Sequence, residues 1–414
     1  MTPAQLPYRS RSWMRFDGVD ILRGLAIFLV LMNHVNMRLL GARVPYTAEL
    51  PAVLVPSLVW NGQFGVQIFF AVSGFLITST TLRRWGSLSS IGVLDFYRLR
   101  FARIAPLLFL VLAVLSILHW LQFRNFIVSA KTGGLGRALL AALTFRINVL
   151  EANRGYLPGN WDVLWSLSVE EAFYLFFPVV SRIFGQGKLL VAFLLALVVL
   201  GPFGRTTLAH GNEIWSEYSY LGRTDAIALG CLTALIVSRT RFSPTVLRIS
   251  GALGIVILAF MLGFSNRIYS TVVGRSGFEM TILAMGTCMV IAAAAQTQWK
   301  SPGFLGPVLK LGRCSYEVYL THMFVVFALF NLFLKLGKPM AAVPILFVGV
   351  IVIASVCGAV TARVYSEPMN RLLRKCSVGG PERLGSVIDG ESAVPSSWPP
   401  GIKREPDEVI ASDT

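Results

Sequence analysis

Two ionisable side chains interrupt the first long apolar stretch of the sequence, and both could take part in chemistry. The segment DGVDILRGLAIFLVLMNHV places Arg23 and His34 eleven positions apart. On an α-helix this separation is about 16 Å along the axis, so the arginine lies near one end of a spanning helix and the histidine beyond its middle. Because imidazole titrates near neutral pH, His34 is a candidate general base. The alternative is a core histidine that only hydrogen-bonds a neighbouring helix.

A pair of adjacent carboxylates forms the second candidate site. Glu170 and Glu171 lie in the segment NWDVLWSLSVEEAFYLFFP. Adjacent residues on a helix point about 100° apart, so we expect only one of them to face a bundle interior. We predict that Glu170 orients His34 and stabilises its charged form, as in a catalytic triad. The alternative is a charge that complements the dipole of a helix N-terminus. Supporting candidates from the same segment are Glu171, Trp165, Ser168 and Tyr174. Its aromatic side chains could equally form an interfacial belt.

Three arginines in the segment LDFYRLRFARIAP are candidates for binding an anion: Arg98, Arg100 and Arg103. Guanidinium groups bind phosphate oxygens in a bidentate manner. Coenzyme A carries several phosphates, so the cluster is a candidate donor site with Arg23 as a fourth member. The alternative is a role in topology only, because basic residues accumulate in cytoplasmic loops. We expect the arginines just before the third apolar helix, with Pro106 in its first turn.

Two further segments bring polar residues into apolar helices. In GRTDAIALG, Arg223 and Asp225 lie at the start of a helix, where they could pair with each other or with Glu170. The segment LGRCSYEVYLTHMF places three polar residues on one helix face by i, i+4 and i+3 spacing. These residues are Ser315, Tyr319 and His322. We treat all five as acceptor-binding or supporting candidates, and the alternative for the last helix is a polar seam between neighbouring helices.

The elements that must position these residues are membrane-spanning helices. The chain has 414 residues, of which 55% are hydrophobic and 14% charged, with a mean hydropathy of +0.65. Soluble domains carry about 25% charged residues. The apolar runs are continuous rather than alternating, which favours helices over a β-barrel. The net charge of +16 comes from basic residues in short loops, so it indicates membrane topology and not nucleic-acid binding.

The pattern predicts an all-α bundle of ten spans. We place them near 20–40, 62–82, 104–121, 165–184, 189–205, 221–238, 248–264, 279–297, 313–334 and 341–364. The short apolar stretch 138–150 contains Arg146 and is not counted, because an eleventh span would move all later basic clusters to the outside. Residues 1–15 are then a cytoplasmic arm, 16–375 the transmembrane domain, and 376–414 a disordered cytoplasmic tail rich in Pro, Gly, Ser and charge.

These blocks, in this order, resemble acyltransferase family 3, a family of membrane-bound O-acyltransferases. The matching blocks are Arg23 with ten residues before His34, FFAVSGFLIT at 69–78, the R-x-x-R of Arg100 and Arg103, LWSLSVEEAFY at 164–174, RTDAIALG at 223–230, SYEVYLTH at 315–322 and the closing YSEPMNRL. Together they cover about residues 16–375. Two positions depart from the family's pattern. Val163 stands where a histidine is frequent, and Phe324 follows His322 at a position that is often proline.

The resemblance implies a multi-pass enzyme that transfers an acyl group, in the first place acetyl, from acyl-CoA to a hydroxyl of a carbohydrate or glycolipid acceptor. It also implies essential roles for Arg23, His34, Arg100, Arg103 and Glu170. We expect acyl-CoA as a co-substrate from the cytoplasm, with no bound cofactor and no metal. His34 would deprotonate the acceptor or relay the acyl group. Two rivals stay open: a secondary transporter that uses the same buried charges, and a non-catalytic scaffold.

Overall fold

The computed structural model describes residues 16–48 and 55–377. Within these ranges the chain is helical and contains no strand. Ten of the helices are long and apolar enough to cross a membrane. The predicted arm 1–15 and the predicted tail from residue 378 onward lie outside the described residues. The chain is thus a multi-pass membrane protein with the all-α architecture expected from its sequence.

The ten spanning helices are numbered α1 to α10 in chain order. They are α1 Asp17–Gly41, α2 Gly62–Trp85, α3 Val93–Trp120, α4 Leu164–Phe184, α5 Lys188–Arg205, α6 Tyr220–Arg239, α7 Pro244–Gly263, α8 Phe278–Thr297, α9 Ser315–Lys335 and α10 Val343–Thr361. A π-helical turn, Ala362–Ser366, continues α10 into a last helix, Glu367–Ser377. Shorter helices in the connections are Gly134–Leu143, Ile147–Arg154, Gly159–Asp162, Glu213–Tyr218, Ser265–Ser270, Val272–Arg275 and Gly306–Arg313.

The doubtful stretch 138–150 forms no helix long enough to cross a membrane. It is divided between the short helices Gly134–Leu143 and Ile147–Arg154. Between them Phe145 adopts a left-handed backbone conformation with φ 54°, which ends the first helix. The prediction of ten spans is therefore confirmed, and 122–163 forms one long connection between α3 and α4.

The start of α3 differs from the prediction. The helix begins at Val93, so the three arginines lie within its first three turns and not before it. Pro106 is in the helix interior, where it removes one backbone donor. The hydropathy pattern placed the start about ten residues too late because charged side chains lower the local hydropathy without stopping the helix.

Helix parity gives the bundle two faces. We call the face at which α1 begins the near face and the face at which α1 ends the far face. The starts of α3, α5, α7 and α9 therefore lie at the near face, and the connection 122–163 lies at the far face. The near face also carries the helix Gly306–Arg313, which packs against α1.

Burial separates central helices from peripheral ones. Helices α1, α2, α4, α6, α8 and α9 form the middle of the bundle, whereas α5, α7 and α10 expose large apolar side chains. Leu189, Ile255 and Ile345, one from each peripheral helix, are 67%, 60% and 71% exposed. In a membrane such side chains face lipid, so the polar candidates are concentrated in the central helices.

Small residues allow the central helices to approach closely. A Cβ atom at Gly74 of α2 would clash with the carbonyl oxygen of Ile227 in α6, and one at Gly230 of α6 would clash with the carbonyl oxygen of Ala71 in α2. Helix pairs in membranes use small residues in this way because lipid supplies no hydrophobic drive for their association. This contact fixes α2 and α6 against each other.

Candidate active site

The two histidines inside the bundle form a direct pair. His34 of α1 and His322 of α9 have ring centroids 4.9 Å apart, and Nε2 of His322 lies 3.2 Å from Nδ1 of His34. His322 is fully buried. Its Nδ1 lies 2.6 Å from the carbonyl oxygen of Tyr319, while Nδ1 of His34 lies 2.9 Å from the carbonyl oxygen of Val30. Each ring is therefore held by a backbone carbonyl of its own helix and by the other ring.

The carbonyl partners fix the tautomers of the pair when both rings are neutral. A carbonyl oxygen only accepts, so Nδ1 of His322 carries a proton and its Nε2 is an acceptor. Nδ1 of His34 then carries a proton that it donates to Val30 or to His322. A neutral imidazole has one N–H, so the lone pair of His34 is on Nε2. The geometry thus leaves Nε2 of His34 as the basic atom, with His322 as its orienting partner.

Tyr319 anchors the helix that carries His322. Its hydroxyl lies 2.6 Å from Oγ of Ser166 and donates to the carbonyl oxygen of Val163 at 2.9 Å, which ties α9 to the start of α4. One turn closer to the near face, Ser315 of α9 accepts a hydrogen bond from Nε of Arg23 at 3.1 Å. The predicted polar face of α9 therefore packs against α1 and α4.

Glu170 does not contact His34, so the predicted triad is wrong in this member. Its carboxylate accepts hydrogen bonds from the hydroxyls of Ser73 and Tyr174. It also lies 3.7 Å from Arg100, whose main partner is Glu171 at 2.6 Å. The guanidinium of Arg100 stacks on the ring of Tyr174 at 3.8 Å. Both glutamates thus compensate one buried arginine, and the orienting role falls to His322.

The other arginines of the predicted donor site have different surroundings. Arg98 is about half exposed and forms a 3.5 Å ion pair with Asp95 on its own helix. Arg23 is much less exposed and lies 3.5 Å from Asp20, besides its contact with Ser315. Arg98 therefore lies at the exposed rim of the bundle, whereas the side chain of Arg23 reaches from α1 to α9.

A cluster of basic side chains surrounds Arg103 at the near face. Arg103 is close enough to act electrostatically on Arg23 and on Glu317. Arg374, from the last helix, is in turn close enough for both Arg103 and Arg84 to act on it electrostatically. Nε of Arg374 has no hydrogen-bond partner among the described residues. We call Arg23, Arg84, Arg103 and Arg374 the near-face arginine cluster.

Arg223 and Asp225 do not pair with each other or with Glu170, so that prediction is also wrong. Asp225 is fully buried and pairs with Arg205 at 2.9 Å. Arg223 donates to the side chains of Gln63 at 2.9 Å and Gln67 at 3.3 Å. Removing a charged side chain from water costs free energy, and these partners offset that cost for both Arg223 and Asp225. The resulting network joins α2, α5 and α6. The pair therefore stabilises helix packing.

Two supporting candidates of α4 contact the connections that follow α3 and α5 at the far face. Oγ of Ser168 accepts a hydrogen bond from the backbone N–H of Ile147 at 3.3 Å. Trp165 stacks on Tyr218, with ring centroids 4.1 Å apart and planes inclined by 5°. Trp165 and Tyr174 are only 3% and 2% exposed, so they do not form an interfacial belt.

An open pocket of about 320 Å³ lies at the far face, beyond the histidine pair. Its lining comes from α1, from α9 and from two parts of the long connection: Arg38, Phe327, Arg124, Asn125, Ile127, Ser129, Thr132, Tyr156, Leu157, Pro158 and Gly159. Its volume is at the lower end of the range for small-molecule sites. Arg38 is one helical turn from His34 on α1, so the pocket is adjacent to the pair.

Sequence reasoning missed three of these basic residues. Arg84 and Arg374 lie in basic segments that indicate only topology, because nothing local shows that the last helix returns to α3. The i+4 spacing of Arg38 from His34 places both side chains on one helix face and is the pattern that indicates its role.

The sequence also resembles known proteins. The family model for the acyltransferase domain of acyltransferase family 3 matches residues 16–364. A peptidoglycan O-acetyltransferase OatA from Listeria monocytogenes is 26% identical over 321 residues, covering 74% of this chain and 48% of that protein. An O-acetyltransferase OatA from Staphylococcus aureus strain NCTC 8325 is 27% identical over 336 residues, with 74% and 49% covered. The chain therefore spans about half the length of these relatives.

No solved structure matches this fold closely enough to support an argument. The family assignment therefore depends on the sequence match, which covers all ten spanning helices. The histidine pair, the near-face arginine cluster and the far-face pocket all lie in or beside this matched region. The chain belongs to acyltransferase family 3.

Proposed function

We propose that this protein is an O-acetyltransferase that moves an acetyl group from acetyl-CoA to a hydroxyl of a carbohydrate acceptor. The observation that carries the proposal is the pairing of His34 with His322, which leaves a basic Nε2 atom inside the bundle. General bases of this kind contribute about 10²–10⁴-fold to proton transfer. The names of the relatives, which are O-acetyltransferases, support the same reaction.

The donor binds from the near face. Arg103 acts electrostatically on Arg23 and on Arg374, and guanidinium groups in such proximity favour a phosphate as ligand. Arg23 is about 16 Å from His34 along α1. The donor must therefore carry its phosphates and its acyl group at opposite ends of a long arm, as acyl-CoA does. Arg100 compensates Glu170 and Glu171 and is a positioning residue for this site.

The proposed transfer is a direct displacement at the thioester. Nε2 of His34 takes the proton of the acceptor hydroxyl while its oxygen attacks the acetyl carbonyl carbon. The C–S bond then breaks, the CoA sulfur leaves, and the proton on Nε2 passes to it. The products are an O-acetyl ester and CoA with a free thiol. His322 stabilises the imidazolium because its Nε2 accepts a hydrogen bond from Nδ1 of His34.

The acceptor approaches from the far face. Arg38, which lines the far-face pocket, is four residues from His34, which corresponds to about 6 Å along the helix. The distance from the far-face pocket to His34 is therefore much shorter than the distance that the donor must span from Arg23 to His34. One relative carries peptidoglycan in its name, and we propose a peptidoglycan-type glycan as the acceptor class.

The central test is the replacement His34→Asn. Asparagine keeps a polar group near the carbonyl of Val30 but cannot take a proton. We expect acetyl transfer from radiolabelled acetyl-CoA to fall by about 100-fold or more, while the purified protein stays folded. The matched control is His210→Asn at an exposed position outside the bundle, where activity should be unchanged. Wild-type transfer by the His34 variant would remove the proposed base.

The rival functions predict different results in the same preparation. A transporter would move intact substrate into liposomes and release no free CoA. A scaffold would tolerate both His34→Asn and His322→Gln. For the enzyme we expect His322→Gln to lower kcat by about tenfold or more, because the orienting acceptor of His34 is altered.

A further inference from the structure

The far-face pocket contains an arginine that forms no ion pair with any described side chain. The guanidinium of Arg38 lies over the ring of Phe327 at 4.9 Å, and its Nε is buried without a hydrogen-bond partner among the described residues. Asp162 acts on it electrostatically, but that carboxylate already accepts a hydrogen bond from Tyr218 at 3.1 Å. A buried donor without a partner is costly unless a ligand supplies one.

The rest of the pocket is built to hold a polar ligand. Arg124 is exposed on its rim, and Asn125, Ser129 and Thr132 add amide and hydroxyl groups. Tyr156, which is 54% exposed, supplies a ring and a phenolic hydroxyl on the opposite side. A small set of polar groups with an aromatic wall is typical of sites that bind one small molecule.

The walls of the pocket are fixed by packing. Phe126, beside Arg124 and Asn125, stacks on Phe324 and contacts Phe327, both at 5.7 Å between ring centroids. Nδ2 of Asn125 donates to Asn331 of α9 at 3.3 Å. On the other wall, a Cβ at Gly159 would be 2.6 Å from the side chain of Met323 and 3.4 Å from Arg38. A larger residue here would have to displace the end of the Met323 side chain.

The pocket is also next to the reacting groups. Arg38 and Phe327 lie four and five residues beyond His34 and His322 on their respective helices, which is about 6–8 Å along each axis. A ligand held in the pocket thus has one end within reach of the pair. This placement distinguishes the site from the near-face arginine cluster, which is about 16 Å from His34.

We propose that the far-face pocket selects an acceptor sugar that carries a carboxylate, with Arg38 as its main anion-binding residue and Arg124 as a second one. This proposal rests on the proposed function and names the class of its acceptor. The carboxylate supplies the missing partner of Arg38, and the polar wall contacts the sugar hydroxyls. One hydroxyl of the bound sugar faces the histidine pair. A neutral sugar leaves the guanidinium unpaired and binds less tightly.

The test compares two sugars that differ in one group, methyl glucuronide with a carboxylate and methyl glucoside with a hydroxymethyl group. Binding to the purified full-length protein is measured by saturation-transfer NMR, which is suited to weak affinities. We expect the glucuronide to bind about tenfold or more tightly than the glucoside, since hydrogen bonds to charged groups are the stronger ones. Equal affinities, or no saturable binding of either sugar, would overturn the proposal.

Variants identify the residue responsible. Arg38→Gln should abolish the preference for the glucuronide, Arg38→Lys should retain part of it, and Arg124→Gln should weaken it less because that side chain is exposed. The matched control is Arg154→Gln, an exposed far-face arginine outside the pocket, which should behave as the wild type. A preference that survives Arg38→Gln would contradict the assignment of this residue.

His34→Asn separates this inference from the proposed function. That variant should lose acetyl transfer while it keeps the preference for the glucuronide, because the base is not part of the binding pocket. If transfer depends on His34 but the wild type shows no preference, only the acceptor assignment fails. If the preference is present but transfer does not require His34, the acceptor assignment is retained and the assignment of His34 as the base is wrong.

Discussion

At the scale of single residues, the charged side chains divide into those that form an ion pair and those that form none. Arg100 meets two glutamates, and Asp225 meets Arg205. Removing one partner from such a pair leaves a buried charge, so these residues act in stability. Arg103 and Arg38 instead form no ion pair with any described side chain, although both are near the proposed substrates. The arginines without an ion pair are therefore the better candidates for binding.

This division predicts which arginine affects the donor. Arg103→Gln should raise the KM for acetyl-CoA by about tenfold, because one guanidinium of the near-face cluster is lost while the histidine pair is intact. Arg98→Gln, on the same helix but paired with Asp95 at the exposed rim, is the matched control and should change the KM by less than about twofold. Steady-state kinetics over a range of acetyl-CoA concentrations measure both. Equal effects of the two replacements would argue against a donor site centred on Arg103.

The sequence predicted the types of these residues better than their partners. His34 and Glu170 were both recognised, but the contact between His34 and His322 joins residues 288 positions apart and has no local signal. Composition indicates that a histidine in an apolar helix needs a polar partner, and several polar helices could have supplied it. Which one does so depends on the order in which helices pack, and this order follows from close contacts such as that of Gly74 with α6.

At the scale of helices, hydropathy was sufficient for the ten spans but not for the far-face connection. The spans are long and continuous, so errors were confined to ends such as the start of α3. The connection 122–163 is a different case, since it packs through specific contacts rather than a periodic apolar face. The N–H of Ile147 binds Ser168, and that of Leu157 binds Glu151 at 3.0 Å. The second contact holds Leu157, which lines the far-face pocket.

Glu151 gives this connection a predicted pH dependence. Burial, and then the nearby carboxylate of Asp162, raise the pKa of Glu151 well above its ordinary value. A carboxyl with a raised pKa in the folded state stabilises it below the unfolded pKa, which is about 4.3, and this contribution is lost as the pH rises through the folded pKa. We therefore expect the apparent Tm in detergent to decrease with rising pH, and the decrease to be smaller in Glu151→Gln.

The matched control for this prediction is Glu213→Gln. Glu213 is exposed at the same face, so its replacement should leave the pH profile of the apparent Tm unchanged. Scanning calorimetry or intrinsic fluorescence of the purified protein at a series of pH values gives both profiles. A wild-type slope that persists in Glu151→Gln would show that this carboxyl does not carry the effect.

At the scale of the whole molecule, the mechanism depends on which face of the bundle is cytoplasmic. The two proposed substrates enter from opposite ends, with the donor at the near-face arginine cluster and the acceptor at the far-face pocket. Acetyl-CoA is a cytoplasmic metabolite, so the proposed donor route requires the near face to be inside. Basic residues at the near-face ends of α2, α3, α6 and α7 agree with this orientation, since positive charge accumulates in cytoplasmic loops.

Single cysteines on the two faces test the orientation in cells. Lys131→Cys lies in the exposed far-face connection, and Lys300→Cys lies in the exposed near-face segment between α8 and the helix Gly306–Arg313. We expect a membrane-impermeant maleimide to label the first in intact cells and the second only after permeabilisation, with the unsubstituted chain as the blank. The reverse pattern would place the far-face pocket in the cytoplasm. The donor would then have to bind at Arg38, about 6 Å from His34 along α1, and the separation of the two substrate routes would be lost.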